Sequence, residues 1–310
     1  MIPRRAELHT HLIGTLTSEL LAGLRAAGEE ILIEPDALAA LCPVRGWDGF
    51  RRWLAATMPY QRATLRQYAP ILRAHCAALA AQHVQYAEIM ISPVSLPTDD
   101  GEMIEALAEF HAQALDGFDT LEIAFLLVIP RGLPPAALNE DVRRFIRLRR
   151  AGAIAGAAVV GIEDGAPLGH LLPALARLHG EGLGIEIHAG ERGDVGAVWE
   201  AVQLGFPVRL GHALAAFRDP RLLDSIAERQ MHIEFCVSAN LATGSVPALA
   251  QHPIIEAKRR GLSFSINTDN PGMFGCSLDS EYALLREACG FSDDDLARAS
   301  AAAFAARFRL

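Results

Sequence analysis

Cysteine is scarce in this 310-residue chain and is never spaced for metal binding through sulfur. Cys42, Cys76, Cys236, Cys276 and Cys289 show no C-x-x-C pattern and are odd in number, so they read as free, mostly buried thiols. Long apolar runs free of charge are missing too, which argues against a membrane span. No block of like charge occurs, and 28 Lys plus Arg against 37 Asp plus Glu leave a net charge of −9, a poor match to nucleic acid. The stretch Met1-Ile2-Pro3-Arg4-Arg5 lacks the apolar core and small-residue cleavage site of a signal peptide, and a cytoplasmic protein is expected. No G-x-G-x-x-G follows the first apolar strand, which weakens an open, doubly wound nucleotide-binding sheet.

What is present is repetition. Apolar strands are expected at 6–12, 85–91, 121–129, 154–162, 183–188, 208–212, 232–236 and 262–267. Helical stretches at 71–82, 102–118, 139–151, 171–180, 195–204, 220–229 and 254–260 precede the last seven, and a final helix begins near Asp279. Strands that are apolar throughout expect cover on both faces, as in a parallel sheet. Eight such units in one chain of this length, 51% hydrophobic, predict a (β/α)8 barrel spanning 1–310 as one domain. After the first strand, roughly residues 27–70 form a helical excursion broken at Pro43, Gly46 and Pro59. Its aromatics Trp47, Phe50 and Trp53 can either cover a site like a lid or pack on the barrel.

In a barrel of this kind chemistry sits where strands end and loops begin. The first strand ends in His9 and His11, the fifth in His188, the sixth in His212, and the eighth runs to Asp269. At the strand period of two, Glu7, His9 and His11 are expected on one face. His9, His11, His188 and Asp269 make a mixed nitrogen and oxygen set suited to one zinc ion with a position left for water, whose pKa the metal would lower. Glu191, three residues after His188, can move a proton, and His212 can orient the water or stabilise charge on the attacked centre. Singly, each has an ordinary explanation as a core histidine, a helix cap or a turn residue. Their convergence at one end of four predicted strands does not.

Leu8-His9-Thr10-His11-Leu12, His188-Ala189-Gly190-Glu191, Arg209-Leu210-Gly211-His212 and Asn267-Thr268-Asp269-Asn270-Pro271 together resemble the adenosine deaminase family of zinc aminohydrolases. Weaker similarity at Tyr86-Ala87-Glu88, Val160-Gly161-Ile162, Cys236 to Gly244 and His252-Pro253 extends it over nearly the whole chain. The resemblance implies a barrel of the metal-dependent hydrolase type with Zn2+ on His9, His11, His188 and Asp269. It implies that Glu191 protonates a purine ring nitrogen, that His212 orients the attacking hydroxide, and that ammonia leaves from a 6-aminopurine nucleoside or close derivative.

The chain also departs from that pattern. Family members acting on adenosine carry Asp, and adenine-specific ones Glu, two residues after the second metal histidine; here Ile13 stands there. An apolar side chain cannot accept a hydrogen bond from a 5′-hydroxyl, so a 5′-deoxy or 5′-thioether nucleoside fits better than adenosine. Asn270 replaces a frequent second Asp and keeps an amide for the base, while Glu163-Asp164-Gly165-Ala166-Pro167 replaces the family's substrate loop and leaves Gly165 as its backbone contact. Met90 stands where many relatives carry Arg. The same machinery acting on a free base or a pterin-like ring is the alternative substrate reading. A two-metal phosphoesterase would need more carboxylates or a bridging ligand, and a binding module would need no Glu191.

Overall fold

A computed structural model of the chain describes residues 4–310. Met1 to Pro3, the start of the stretch expected to lead into the first strand, lie outside the described residues. Eight parallel strands follow one another in sequence order: β1 (Arg5–His11), β2 (Val84–Ile91), β3 (Glu122–Pro130), β4 (Gly156–Val160), β5 (Gly184–Ala189), β6 (Arg209–His212), β7 (His232–Phe235) and β8 (Phe264–Ile266). Helices between them form the outer ring, so the fold is a (β/α)8 barrel, as expected from the sequence. The barrel closes through the candidate site itself: past β8, the Asp269 N–H donates to the His9 carbonyl and the His11 N–H to the Asp269 carbonyl, both at 2.9 Å.

The pairing of β1 to β2 shifts twice, between Arg5 and Ala6 and between Glu7 and Thr10, and at the second the expected alternation along β1 fails. Between Glu7 and Thr10 the pairing to β2 slips, with Glu7 opposite Ala87 and Thr10 opposite Ile89, so β1 carries one extra residue. A bulge of this kind reverses the sense of alternation. Glu7 therefore faces away from the histidines and accepts from the backbone N–H and the hydroxyl of Thr268 at 3.1 and 3.0 Å. His9 and His11 both point into the barrel.

After β1 come α1 (Ser18–Ala26), then the excursion as three short helices, α2 (Pro35–Ala39), α3 (Gly46–Ala56) and α4 (Met58–Gln61). The next helix, α5 (Leu65–Ala81), starts six residues before its expected beginning. Pro70 reads as a breaker, but a Thr64–Gln67 capping box starts the helix ahead of it, and burial of Leu65, Tyr68, Ile71 and Leu72 holds that turn. At the other end, the expected final helix is two, Leu278–Cys289 and Asp293–Ala306, separated by left-handed Gly290. The last helix crosses the bottom of the barrel and delivers Phe308 into it, where a Cβ on Gly156 or Gly184 would collide with the ring. Among the described residues no helix is long and apolar enough to cross a membrane.

Candidate active site

The strand ends open into a cavity of about 220 Å³, lined among others by His11, Ile13, His188, Glu191, His212, Asp269 and Asn270. The fold thus gathers residues from β1, β5, β6 and the turn after β8, as the sequence suggested. Trp47 and Phe50 of α3 line the same cavity, whereas Trp53 is fully buried in the core. The excursion therefore splits between the two readings of it. Arg192 lies over the Trp47 ring, 4.6 Å from its centroid, and pairs with Asp164 at 2.8 Å, tying α3 to the loops after β4 and β5.

His9, His11 and His188 present ring nitrogens within 4.8 Å of one another. Asp269 Oδ1 lies 3.4 Å from His11 Nε2 and 3.9 Å from His9 Nε2. Burial, reinforced by the neighbouring rings, pushes His11 down to about 3 and His188 and His212 well below the usual histidine range, so all present neutral imidazoles. Asp269 is raised by burial to about 6, with His9 opposing. The Nε2 atoms of His9 and His188 are buried and have no hydrogen-bond partner. Several neutral nitrogen donors and one carboxylate, converging with orphaned lone pairs, fit a divalent cation.

Behind the ligand atoms lies a network that the sequence did not disclose. His9 Nδ1 donates to Glu234 Oε2 at 2.8 Å, and Glu234 is held by Arg209 Nε at 2.6 Å. Burial opposes the charge on Glu234, but Arg209 and the His9 bond hold its carboxyl below the usual range. An anionic acceptor at Nδ1 fixes the His9 tautomer and leaves Nε2 for the cavity. Glu234→Gln is accordingly expected to weaken divalent-metal affinity about 10–100-fold, measured by titrating the metal-free protein against a competing chelator. Affinity unchanged in the variant would count against this orientation. Gly211 leaves the room this convergence needs, since a Cβ there would overlap Glu186 and lie 3.1 Å from both His9 and His188.

Glu191 and His212 form the second part of the site. Burial, with the charges of Asp269 and Glu163 adding to it, raises Glu191 well above the carboxylate range despite Arg192, so it carries a proton. Its Oε2 is 3.9 Å from His212 Nε2. The proton on His212 can be traced through its neighbours. The Ile254 N–H donates to His252 Nδ1 at 3.1 Å, so His252 Nε2 donates to Asn240 Oδ1 at 3.3 Å. The Asn240 amide N–H then donates to His212 Nδ1 at 3.2 Å, which places the His212 proton on Nε2, toward the cavity. His212 and Asp269 both sit at positive φ, 62° and 61°, a strained backbone held by these surroundings.

The loop bearing Glu191 is held by a residue sequence reasoning missed. Glu163 accepts from the backbone N–H groups of Gly190 and of Arg192, the latter at 2.7 Å, while Arg131 donates to the His188 carbonyl. Gly190 has φ 74°, and a Cβ there would also strike Val198. Of the expected substrate contacts, Ile13 and Asn270 line the cavity, and the Asn270 amide donates to Asp269 Oδ1. Gly165 does not line it: the loop turns away at that point, leaving Val160, Gly161, Ile162 and Glu163 as its wall.

Residues 4–309 match the family described as Adenosine deaminase. Aminodeoxyfutalosine deaminase of Streptomyces coelicolor is 30% identical over 299 residues, covering 94% of this chain and 77% of that protein. Adenosine deaminase of Shewanella loihica is 26% identical over 304 residues, covering 94% and 90%. Among solved structures, adenine deaminase from Arthrobacter aurescens superposes with a TM-score of 0.85 at 24% identity, covering 99% of this chain and 94% of that one.

Proposed function

The chain belongs to the adenosine deaminase family and is a metal-dependent aminohydrolase, and from that premise we propose that it deaminates a 6-aminopurine nucleoside that lacks a free 5′-hydroxyl. The names of its relatives divide among adenosine, adenine and aminodeoxyfutalosine deaminases and leave the substrate to the pocket. The observation that carries this reading is Ile13, which lines the cavity together with Leu54 and Val160 and stands where the resemblance implies an acidic acceptor for a 5′-hydroxyl. Leaving that hydroxyl unpaired costs about 1–3 kcal/mol.

In this reading His9, His11, His188 and Asp269 hold one Zn2+, which supplies Lewis acidity that makes water nucleophilic at neutral pH. Glu191, protonated because it is buried beside other carboxylates, donates to the ring nitrogen next to the amino-bearing carbon. That carbon becomes electrophilic, water adds, and ammonia departs to leave the 6-oxo product. His212, held by Asn240, offers its Nε2–H to the oxygen that adds. The Asn270 amide faces the cavity beside Asp269 and is available to the five-membered ring.

The test is ammonia release by the zinc-loaded protein from adenosine, 2′-deoxyadenosine, 5′-deoxyadenosine, 5′-methylthioadenosine, adenine, guanine and simple pterins. Preference for the 5′-modified nucleosides is the expected result. A preference for adenosine would make Ile13 incidental, and a preference for adenine or a pterin would move the substrate to the free-ring class. Asn240→Leu is expected to lower kcat about 10–100-fold without loss of metal, since it frees the His212 tautomer but touches no ligand. A kcat equal to that of the parent chain would remove the tautomer argument.

A further inference from the structure

A second chamber of about 410 Å³ adjoins the first, and His11, Ile13, Leu54 and Val160 line both. We propose, on the nucleoside reading above, that this chamber is the subsite for an uncharged apolar substituent, aryl or alkyl, carried on the 5′ carbon of the substrate. In that reading a ring held against Glu191 and His212 turns its sugar end toward Ile13, and Ile13 borders this chamber as well as the first cavity.

The chamber's walls are mainly apolar, with Tyr68, Ser92 and Ser95 as hydroxyl-bearing exceptions, and the buried Ser95 Oγ has no hydrogen-bond partner. Met90 and Val128 lie where β2 and β3 end, and no acidic residue lines the space, so a cationic arm would find no counter-charge. Arg62, its single Arg or Lys, is exposed at the end of α4, so the chamber holds one cation at its solvent edge and none in its depth. Gln61 is already engaged, its amide donating to the Leu54 carbonyl at 2.6 Å. Met90 is buried in the barrel and opposite His11 in register, which gives this position a role: it keeps the floor apolar and deformable.

The rim supplies a second observation. Among the described residues five large apolar side chains stay exposed, and three surround the joined chambers: Met58 at 42%, Val94 at 66% and Ile162 at 48%. Exposed apolar side chains gathered at the mouth of a cavity mark a place where apolar surface is covered by a ligand.

The experiment measures kcat/KM on 6-aminopurine nucleosides that differ only at the 5′ carbon: hydrogen, hydroxyl, phosphate, methylthio and phenylthio. The zinc-loaded chain is expected to favour phenylthio over hydrogen by about 30-fold or more, with methylthio between them. Met90→Arg places a charge on the chamber floor, and Met58→Glu places one on the exposed rim, where folding is not at stake. In both, the ratio of phenylthio to hydrogen, taken within the same variant, is expected to fall toward one. Turnover of the series with no gain from the arm, or a preference for phosphate, would overturn the subsite and spare the nucleoside reading, whereas a preference for hydroxyl would overturn the subsite and the 5′-modified substrate together. A gain that survives both variants would place the arm elsewhere and also overturn the subsite. Turnover of no member would overturn the nucleoside reading, and the subsite with it.

Discussion

Glu191→Gln is expected to bind metal as tightly as the parent chain and to lose about 10²–10⁴-fold in kcat, the range a positioned general acid contributes. The carboxyl converges with His212 and Asp269 and not with His9, His11 and His188, and the loop that bears it is held by Glu163 through two backbone N–H groups. An amide of the same shape leaves that loop intact but has no acidic proton to give. His188→Ala is the matched opposite, expected to lose metal and turnover together, because His188 shares its cradle with His9 and His11. Metal content by elemental analysis, beside ammonia release, separates the two. Turnover retained in metal-replete Glu191→Gln would remove Glu191 as the proton donor and shift that role to another group at the cavity.

How far the sequence carries this site depends on which residues announce themselves. His9, His11, His188, Glu191, His212 and Asp269 are polar residues at the ends of apolar strands, and that contrast is visible without coordinates. Glu7 was misplaced because a bulge adds one residue between it and Thr10, and a period-two reading carries no mark of where pairing slips. Glu234 and Arg209 escaped notice for a related reason: a charged residue inside a short apolar strand looks like a strand residue facing water, and only barrel closure shows that it faces inward. Asn240, His252 and Glu163 lie far from the motifs they support, so their roles exist only in three dimensions. Gly165 shows the limit of a resemblance carried over a loop whose residues differ from the family's: Val160 to Glu163 line the cavity and Gly165 does not.

The second large effect concerns stability and follows from the same inward-facing charges. Arg209→Met is expected to cost about 3–5 kcal/mol, the usual consequence of removing one partner from a buried ionic network. Arg209 is nearly inaccessible, pairs with both oxygens of Glu88 and with Glu234, and lies over the Phe308 ring at 3.6 Å. Phe308 in turn donates its backbone N–H to Glu88 at 2.6 Å. One continuous path thus runs from the chain's C-terminal plug through Glu88, Arg209 and Glu234 to His9 in the candidate site. Methionine is of similar size, but it removes the one cation that faces Glu88 and Glu234; the first keeps only the Phe308 N–H and the Tyr86 hydroxyl and the second only His9, so each must take up a proton or stay charged without a counter-ion. Chemical denaturation of the metal-free chain checks the loss, while Glu88→Gln, which keeps a neutral acceptor for the Phe308 N–H, is expected to cost less. If Arg209→Met unfolded at the same denaturant concentration as the parent chain, the network would be neutral for stability, and its selected role would reduce to holding Glu234 against His9.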